Sequence, residues 1–366
     1  MIDSLHARAL QIPFKVAFSH ASASRDTTHS LWVEVTLHDG SVGYGEGCPR
    51  DYVTGETLQG AMAFVARFSA AWQQDIRDLD TLTIWTRTNR AEIDANPAAW
   101  CAVELALLDA FARQSGQTIE SLLGLPKIEG KFRYTAVLGD SAAKRFETQI
   151  ARYRQVGFRD FKIKLSGDLQ RDLDKIALLK SAGIAPESVR ADANNLWTDA
   201  RSAIEFLLRL DYRFRALEEP LQAGDHAGMN EIAIQAGFAI ILDESLLRLD
   251  QLSLFSGTPG RWIVNLRVSK MGGLLRSLEL VGQVRRGGLG MIVGAHVGET
   301  SLLTRAALTV ANSARDILIA QEGAFGTHLL EHDVTDAPIM FGKGGMLDAS
   351  QLPAGTGFGF GLAPAD

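Results

Sequence analysis

Cysteine is nearly absent from this chain. The two residues, Cys48 and Cys101, stand outside any CxxC or similar ligand spacing. That excludes a cysteine zinc site and a disulfide framework, and it fits reduced thiols in a cytoplasmic protein. Long uncharged apolar runs are also missing, so no membrane span is expected. The N-terminus carries Asp3, His6, Arg8 and Gln11 where a signal peptide would carry an apolar core. Positive charge is not in excess: the formal net charge is −6, with both signs spread along the chain. No nucleic-acid footprint is expected from such a balance. A nucleotide loop is lacking too, because Leu138-Gly139-Asp140 is not a Gly-rich turn between strand and helix.

What remains is an ordinary globular balance of 46% hydrophobic and 22% charged residues, which argues against disorder. At 366 residues the chain exceeds one compact core, so two domains are expected. Leu31–Leu37 alternates and precedes the turn signal Asp39-Gly40, and Val42–Gly45 resumes an extended pattern. Ser19–His29 is small and polar and reads as a loop. From Gly55 to Gly116 the pattern is helical, and Ala98–Ala112 reads as a mostly buried helix. From Phe132 onward short apolar strands alternate with amphipathic helices. Eight strands are expected, beginning at Tyr134, Phe161, Ser188, Arg215, Ala239, Trp262, Gly290 and Ile317. Such alternation predicts a parallel sheet, and closure into a barrel leaves no open edge. An open doubly wound sheet is the competing architecture. The Gly- and Pro-rich tail from Asp333 is read as irregular, returning towards the first domain.

Polar residues recur at the C-terminal ends of successive predicted strands: Lys164, Asp192, Glu218, Asp243 and Lys270. Their separations are 28, 26, 25 and 27 residues, one β/α unit per step. In a barrel these ends meet at one mouth. Each acid alone reads as a helix cap or a loop ion pair. Three carboxylates on consecutive strands, with a lysine on the strand to either side, call for a cation. An all-oxygen set fits Mg²⁺, with Mn²⁺ as a substitute, better than zinc. Such an ion would grip a substrate carboxylate and stabilise the enediolate left when an α-proton departs. The lysines would flank the α-carbon as acid and base. Lys162 lies two residues before Lys164 on the same side of its strand and is a candidate for the substrate carboxylate.

The motifs Lys162-x-Lys164, Asp192-x-Asn194, Glu218-Glu219-Pro220, Asp243-Glu244-Ser245 and Lys270-x-Gly272-Gly273 resemble the signature of the muconate-lactonizing-enzyme subgroup of the enolase superfamily. Gly43-Tyr44-Gly45-Glu46-Gly47 and Tyr52-Val53-Thr54-Gly55-Glu56-Thr57 are similar to capping-domain segments of dipeptide epimerases. The resemblance implies an α/β protein: a modified (β/α)7β TIM-like barrel over residues 131–332, capped by an α+β domain over 1–130, with 333–366 returning to the cap. It implies Mg²⁺ on Asp192, Glu218 and Asp243, with Glu219 and Glu244 behind the ligands, and Lys164 and Lys270 as the acid/base pair. Loops Ser19–His29 and Pro49–Thr54 would close over the substrate, placing Tyr52 and Thr54 beside it. Asn194, Glu299 and Glu322 join the substrate-binding candidates. A small-molecule carboxylate substrate and a homo-oligomer are implied by resemblance alone.

The departures bear on substrate. Dipeptide epimerases of this subgroup carry Asp-x-Asp after the last barrel strand for the substrate ammonium. Here the stretch reads Ala320-Gln321-Glu322, so one acid is missing. His296 stands where relatives carry another residue. It either packs at the mouth or contacts the substrate and helps protonate a leaving group. The leading expectation is an Mg²⁺-dependent racemase or epimerase acting α to a carboxylate. A lactonizing cycloisomerase, a syn-dehydratase and an o-succinylbenzoate synthase-like lyase share the same first step. A degenerate binding protein is the non-enzymatic rival.

Overall fold

The computed structural model describes residues 1–20, 23–255, 257–258 and 260–360, with side chains for all of these except 17–20, 23 and 24. The chain opens with β1 (Ile2–Leu10), β2 (Pro13–His20), β3 (Ala23–Thr27), β4 (Ser30–Leu37) and β5 (Val42–Gly47). Strands β1, β4 and β5 form an antiparallel sheet in that order. The alternation of Leu31–Leu37 becomes β4. The Asp39-Gly40 turn is completed by Gly40 at φ +85°, a conformation that suits glycine. The loop expectation for Ser19–His29 needs correcting. β3 pairs antiparallel with β2, Ser24 opposite Ser19 and Thr27 opposite Pro13. Cross-strand hydrogen bonds hold this small, polar segment extended despite its weak strand propensity. Residues 21 and 22 lie outside the described residues.

Four helices follow: α1 (Leu58–Asp75), α2 (Leu79–Thr88), α3 (Arg90–Ala95) and α4 (Pro97–Gln114). Helix α4 is almost wholly buried, as its apolar composition requires. Gly43, Gly45 and Gly47 on β5 face its small residues. A Cβ at any of them would strike the backbone of Ala98, Ala102 or Ala106. The Gly-Tyr-Gly-Glu-Gly motif is thus a packing device that brings strand and helix together.

After the short α5 (Ile119–Leu122) and β6 (Lys131–Arg133) come β7 (Ala136–Leu138), α6 (Ala143–Val156), β8 (Phe161–Lys164), α7 (Leu169–Ser181), β9 (Val189–Asp192), α8 (Ala200–Leu210), β10 (Ala216–Glu218), α9 (His226–Gln235) and β11 (Ala239–Leu242). A 3-10 turn leads to β12 (Trp262–Leu266), α10 (Leu274–Arg286), β13 (Gly290–Val293), α11 (Ser301–Ser313) and β14 (Leu318–Gln321). Strands β7 to β14 lie in sequential order in one parallel sheet. A parallel bridge between Tyr134 and Gln321, where Thr135 N donates to Gln321 O at 2.8 Å, joins the two ends into a barrel. Ala216, Ile241, Ile263, Ile292 and Ala320 pack together inside it. The tail contributes β15 (Met346–Asp348), antiparallel to β6. It then runs to α4, where Phe358 N donates to Asp109 Oδ1 at 2.8 Å. No helix among the described residues is long and apolar enough to cross a membrane.

Three buried acids tie the N-terminal layer together and to the barrel through helix N-termini, where free backbone N–H groups favour an anion. Glu56 accepts from Ala98 N and Ala99 N of α4. Glu46 accepts from Thr300 at the start of α11. Glu104 accepts from Leu274 N and Leu275 N of α10, whose own cap, Gly273, has no side chain to offer. Replacing Glu104 by alanine is expected to destabilise the fold by roughly 1–3 kcal/mol, with Glu104→Gln milder because an acceptor remains. Burial, outweighing the Leu275 and Leu274 N–H groups, pushes Glu104 up to about 7. A folded-state value above the ordinary one makes the group's contribution largest at low pH and lost as pH rises through 7. The Glu104→Gln deficit should therefore shrink with rising pH in chemical unfolding on either side of that value.

Candidate active site

Each barrel strand points alternate residues inward. The interior residue Ala216 on β10 is followed two positions on by Glu218. Asp192 is the register partner of Glu218 on β9. On β11 the partner of Glu218 is Ile241, so Asp243, two positions later, also turns inward. The same step leads from Lys162 to Lys164, from Ile263 to Asn265 and from Ala320 to Glu322. Lys164 ends β8 and Lys270 follows β12. Three carboxylate-bearing strands separate them, so they stand across the mouth from one another.

Asp192, Glu218 and Asp243 are all buried, and each is matched by cations. Lys162 Nζ lies 3.7 Å from Asp192, 3.1 Å from Glu218 and 2.6 Å from Glu322. Arg267 is hydrogen-bonded to Asp243. Lys270 Nζ donates to Asp243 O at 2.8 Å, Asp243 Oδ1 at 2.9 Å and Asn265 O at 2.8 Å. With Lys162 and Arg267 in these places, no three His, Cys, Asp or Glu among the described residues close round one point as metal ligands. Burial raises Glu218, but Lys162 and Arg267 override it and hold the carboxyl at about 2. Burial would discharge Lys162, yet Glu218, Glu322 and Asp192 together raise it above its ordinary range. For Lys270 burial, then the Arg267 guanidinium, outweigh the neighbouring acids and push the amine down to about 7.

Glu219 sits at φ +39°, a strained position for a side-chain-bearing residue. The turn is held because its carboxylate accepts from Asp243 N at 2.6 Å and from Ser245 N and Oγ at 2.8 Å. It thereby fixes the backbone that carries Asp243. Glu244 faces Glu219, Asp192 and Glu218, and burial with these acids pushes it up to about 8.

A cavity of about 440 Å³ opens at this mouth, within the range of small-molecule sites. Lys162, Lys164, Asp192, Asn194, Glu244, His296, Glu299, Glu322 and Tyr52 line it. Glu218, Asp243 and Lys270 do not line it, whereas Lys162 and Arg267, which contact Glu218 and Asp243, do. Lys164 Nζ donates to Asn194 Oδ1 at 2.5 Å and lies 3.5 Å from Asp192. Glu299 accepts from His296 N at 2.7 Å, and burial pushes it up to about 8. Arg267 Nη1 lies 3.3 Å from His296 Nδ1. Burial and the surrounding arginines push His296 well below its ordinary value, so the imidazole is neutral. With Nδ1 accepting from Arg267, Nε2 carries the proton. Thr54, a substrate-binding candidate from the sequence, is placed apart from these residues. It is not on the cavity wall, because its hydroxyl is turned onto Glu56 at 2.8 Å.

Two arginines escaped the sequence reading. Arg267 carried a signal, since it stands two residues beyond the inward Asn265. Arg190 lies wholly buried inside the barrel, 3.5 Å from Glu322 and 3.0 Å from Asp160. Its position level with Lys162 on β8 was readable only with the strand register in hand.

Residues 145–365 match the family described as Enolase C-terminal domain-like. The chain belongs to the enolase superfamily. Its likeness to that superfamily's enzymes spans most of its length. It is 27% identical over 330 residues to the hydrophobic dipeptide epimerase of Enterococcus faecalis, covering 89% of this chain and 91% of that one. To the N-succinyl-L-Arg/Lys racemase of Bacillus cereus it is 24% identical over 326 residues, 86% of this chain and 86% of that one. The crystal structure of the E. faecalis dipeptide epimerase complexed with Mg and the dipeptide L-Leu-L-Tyr superposes with a TM-score of 0.82 at 25% identity, over 98% of this chain and 99% of that one. The capped-barrel architecture expected from the sequence is the one these enzymes share, and this chain is an enzyme of the same superfamily.

Proposed function

We propose that this enolase-superfamily enzyme is an Mg²⁺-dependent racemase or epimerase that removes and returns the proton α to a carboxylate. The observation that carries the reading is the placement of Lys164 and Lys270 across the mouth, with Asp192, Glu218 and Asp243 on the strands between. The donor set fits a hard dication, being all oxygen, inward-facing and on adjacent strands. Lys162 and Arg267 supply here the neutralising charge that such an ion would bring. Asp192, Glu218 and Asp243 would hold it, and when bound it supplies Lewis-acid stabilisation of charge on the substrate carboxylate.

The chain's own groups account for the rest. One lysine takes the α-proton and the other delivers a proton to the opposite face, giving inversion. Glu219 keeps Asp243 in place. On this reading residues 1–130 form the cap, and Tyr52 brings it to the cavity. Residues 131–332 form the barrel, and 333–366 return to the cap. The relatives' epimerase and racemase names support inversion over lactonization. His296, neutral and with Nε2 lacking a partner, favours a second reading in which it assists departure of a neighbouring group.

The test is incubation of dipeptides and N-acyl amino acids with enzyme and Mg²⁺ in D2O. Deuterium at Cα of both stereoisomers is the expected result. A changed carbon skeleton or an unsaturated product would replace inversion by cycloisomerisation or elimination.

A further inference from the structure

Helix α7 buries a lysine that takes no part in the proposed proton transfer. Lys175 is 2% exposed and shares a helix face with Asp172, which is 0% exposed. Its Nζ donates to Asp172 Oδ1 at 2.8 Å and to the backbone carbonyl of Lys164 at 2.8 Å, and it pairs with Asp140 Oδ1 at 2.7 Å. These three acceptors match the three N–H groups of an ammonium. Asp172 in turn accepts from Ser166 N at 3.0 Å, Ser166 Oγ at 2.9 Å and Gly167 N at 3.2 Å. The two side chains therefore clamp the turn that leaves β8, from Lys164 O to Gly167 N. Asp140, on the turn after β7, lines the cavity and is also paired with Arg171 at 3.0 Å. Well-packed apolar residues often serve a buried position as well as an ion pair does, so packing alone does not account for Lys175. The group it fixes closest to the reaction is the main chain of Lys164, whose amine rests on Asn194 Oδ1 at 2.5 Å. Lys270 shares none of these contacts, being held by Asp243 and Asn265.

We propose that Lys175 is a positioning residue for Lys164: its ammonium fixes the Lys164 carbonyl and thereby aims the Lys164 amine at the α-carbon. It acts on one face of the substrate only. Asp172 and Asp140 hold the ammonium in place and offset the cost of burying it. Proton transfer is sensitive to such placement, because a displacement of about 1 Å can cost about 10²-fold in rate. The inference rests on the reading that Lys164 and Lys270 exchange protons from opposite faces.

The test is Lys175→Met, which keeps the bulk of the side chain and removes its donors. The full chain with Mg²⁺ in D2O is assayed on separate L and D forms of an exchanging dipeptide or N-acyl amino acid. The stereoisomer served by Lys164 is the one that Lys164→Ala ceases to exchange. For that isomer kcat of α-deuterium exchange is expected to fall about 10- to 100-fold with KM unchanged. The other isomer keeps its wild-type rate, and Lys180→Met, exposed on the same helix, keeps both. Loss of both isomers by the same factor, loss of neither, or a change in KM alone overturns the positioning role and leaves proton transfer standing. Circular dichroism reports folding. If Lys175→Met does not fold, Asp172→Asn, which loosens the same turn, is read by the same criterion. Exchange absent from the wild-type enzyme with every substrate counts against proton transfer itself. Acetic anhydride labelling mapped by mass spectrometry still decides the positioning role in that case. Lys164 reacting about 5-fold faster in Lys175→Met, the worth of one hydrogen bond, while the exposed Lys144 keeps its rate, supports it, and an unchanged Lys164 rate refutes it.

Discussion

Alanine at Lys164 and alanine at Lys270 are expected to stop α-proton exchange from opposite hands of the substrate. General acid–base groups contribute about 10²–10⁴-fold, so each variant should lose inversion by a factor in that range while its remaining lysine still exchanges one stereoisomer. The geometry demands this asymmetry. Lys164 leaves β8 next to Asp192 and Asn194, whereas Lys270 is anchored on the far side by Asp243 and Asn265. A substrate carbon lying between them can lose its proton to only one of the two. The measurement is proton NMR of separate L and D substrates in D2O, with circular dichroism showing that each variant is folded. Equal exchange of both hands by either variant would remove that lysine from the reaction. A Lys270 variant also loses the amine's hydrogen bonds to Asp243 O, Asp243 Oδ1 and Asn265 O, so thermal unfolding must accompany the kinetics.

Removal of divalent metal should have a still larger effect. Dialysis against a chelator is expected to abolish exchange of every substrate, and Mg²⁺ or Mn²⁺ should restore it. Asp192, Glu218, Asp243 and Glu244 crowd one buried region. Burial, together with Glu219, Asp192 and Glu218, pushes Glu244 up to about 8, in keeping with a region where further negative charge is unfavourable. Bringing in a substrate carboxylate adds exactly such a charge, and a dication relieves it. Glu218→Gln keeps the shape, removes one of the charges and should leave restoration incomplete at any metal concentration. Full activity in the presence of chelator would overturn the proposed metal dependence.

Much of this site was legible because barrel geometry converts a linear recurrence into a ring. Polar residues one β/α unit apart, each just past a short apolar strand, must converge. For that reason Lys164, Asp192, Glu218, Asp243 and Lys270 could be placed without coordinates. Features that depend on partners distant in sequence were not legible. The β2–β3 hairpin owes its form to cross-strand bonds in a stretch whose residues favour turns. Arg267 stood out only once its contacts with Asp243 and His296 were seen. The turning of the Thr54 hydroxyl onto Glu56, while Tyr52 of the same segment reaches the cavity, has no sequence signal.

The most direct check is a titration of the metal-free protein with Mn²⁺, followed by electron paramagnetic resonance. One bound ion per chain, displaced by Mg²⁺ and lost on changing Asp192, Glu218 and Asp243 together to their amides, is the predicted result. Binding that survives that triple change, or no binding at saturating ion, would contradict the claim that these acids share one cation between two amines.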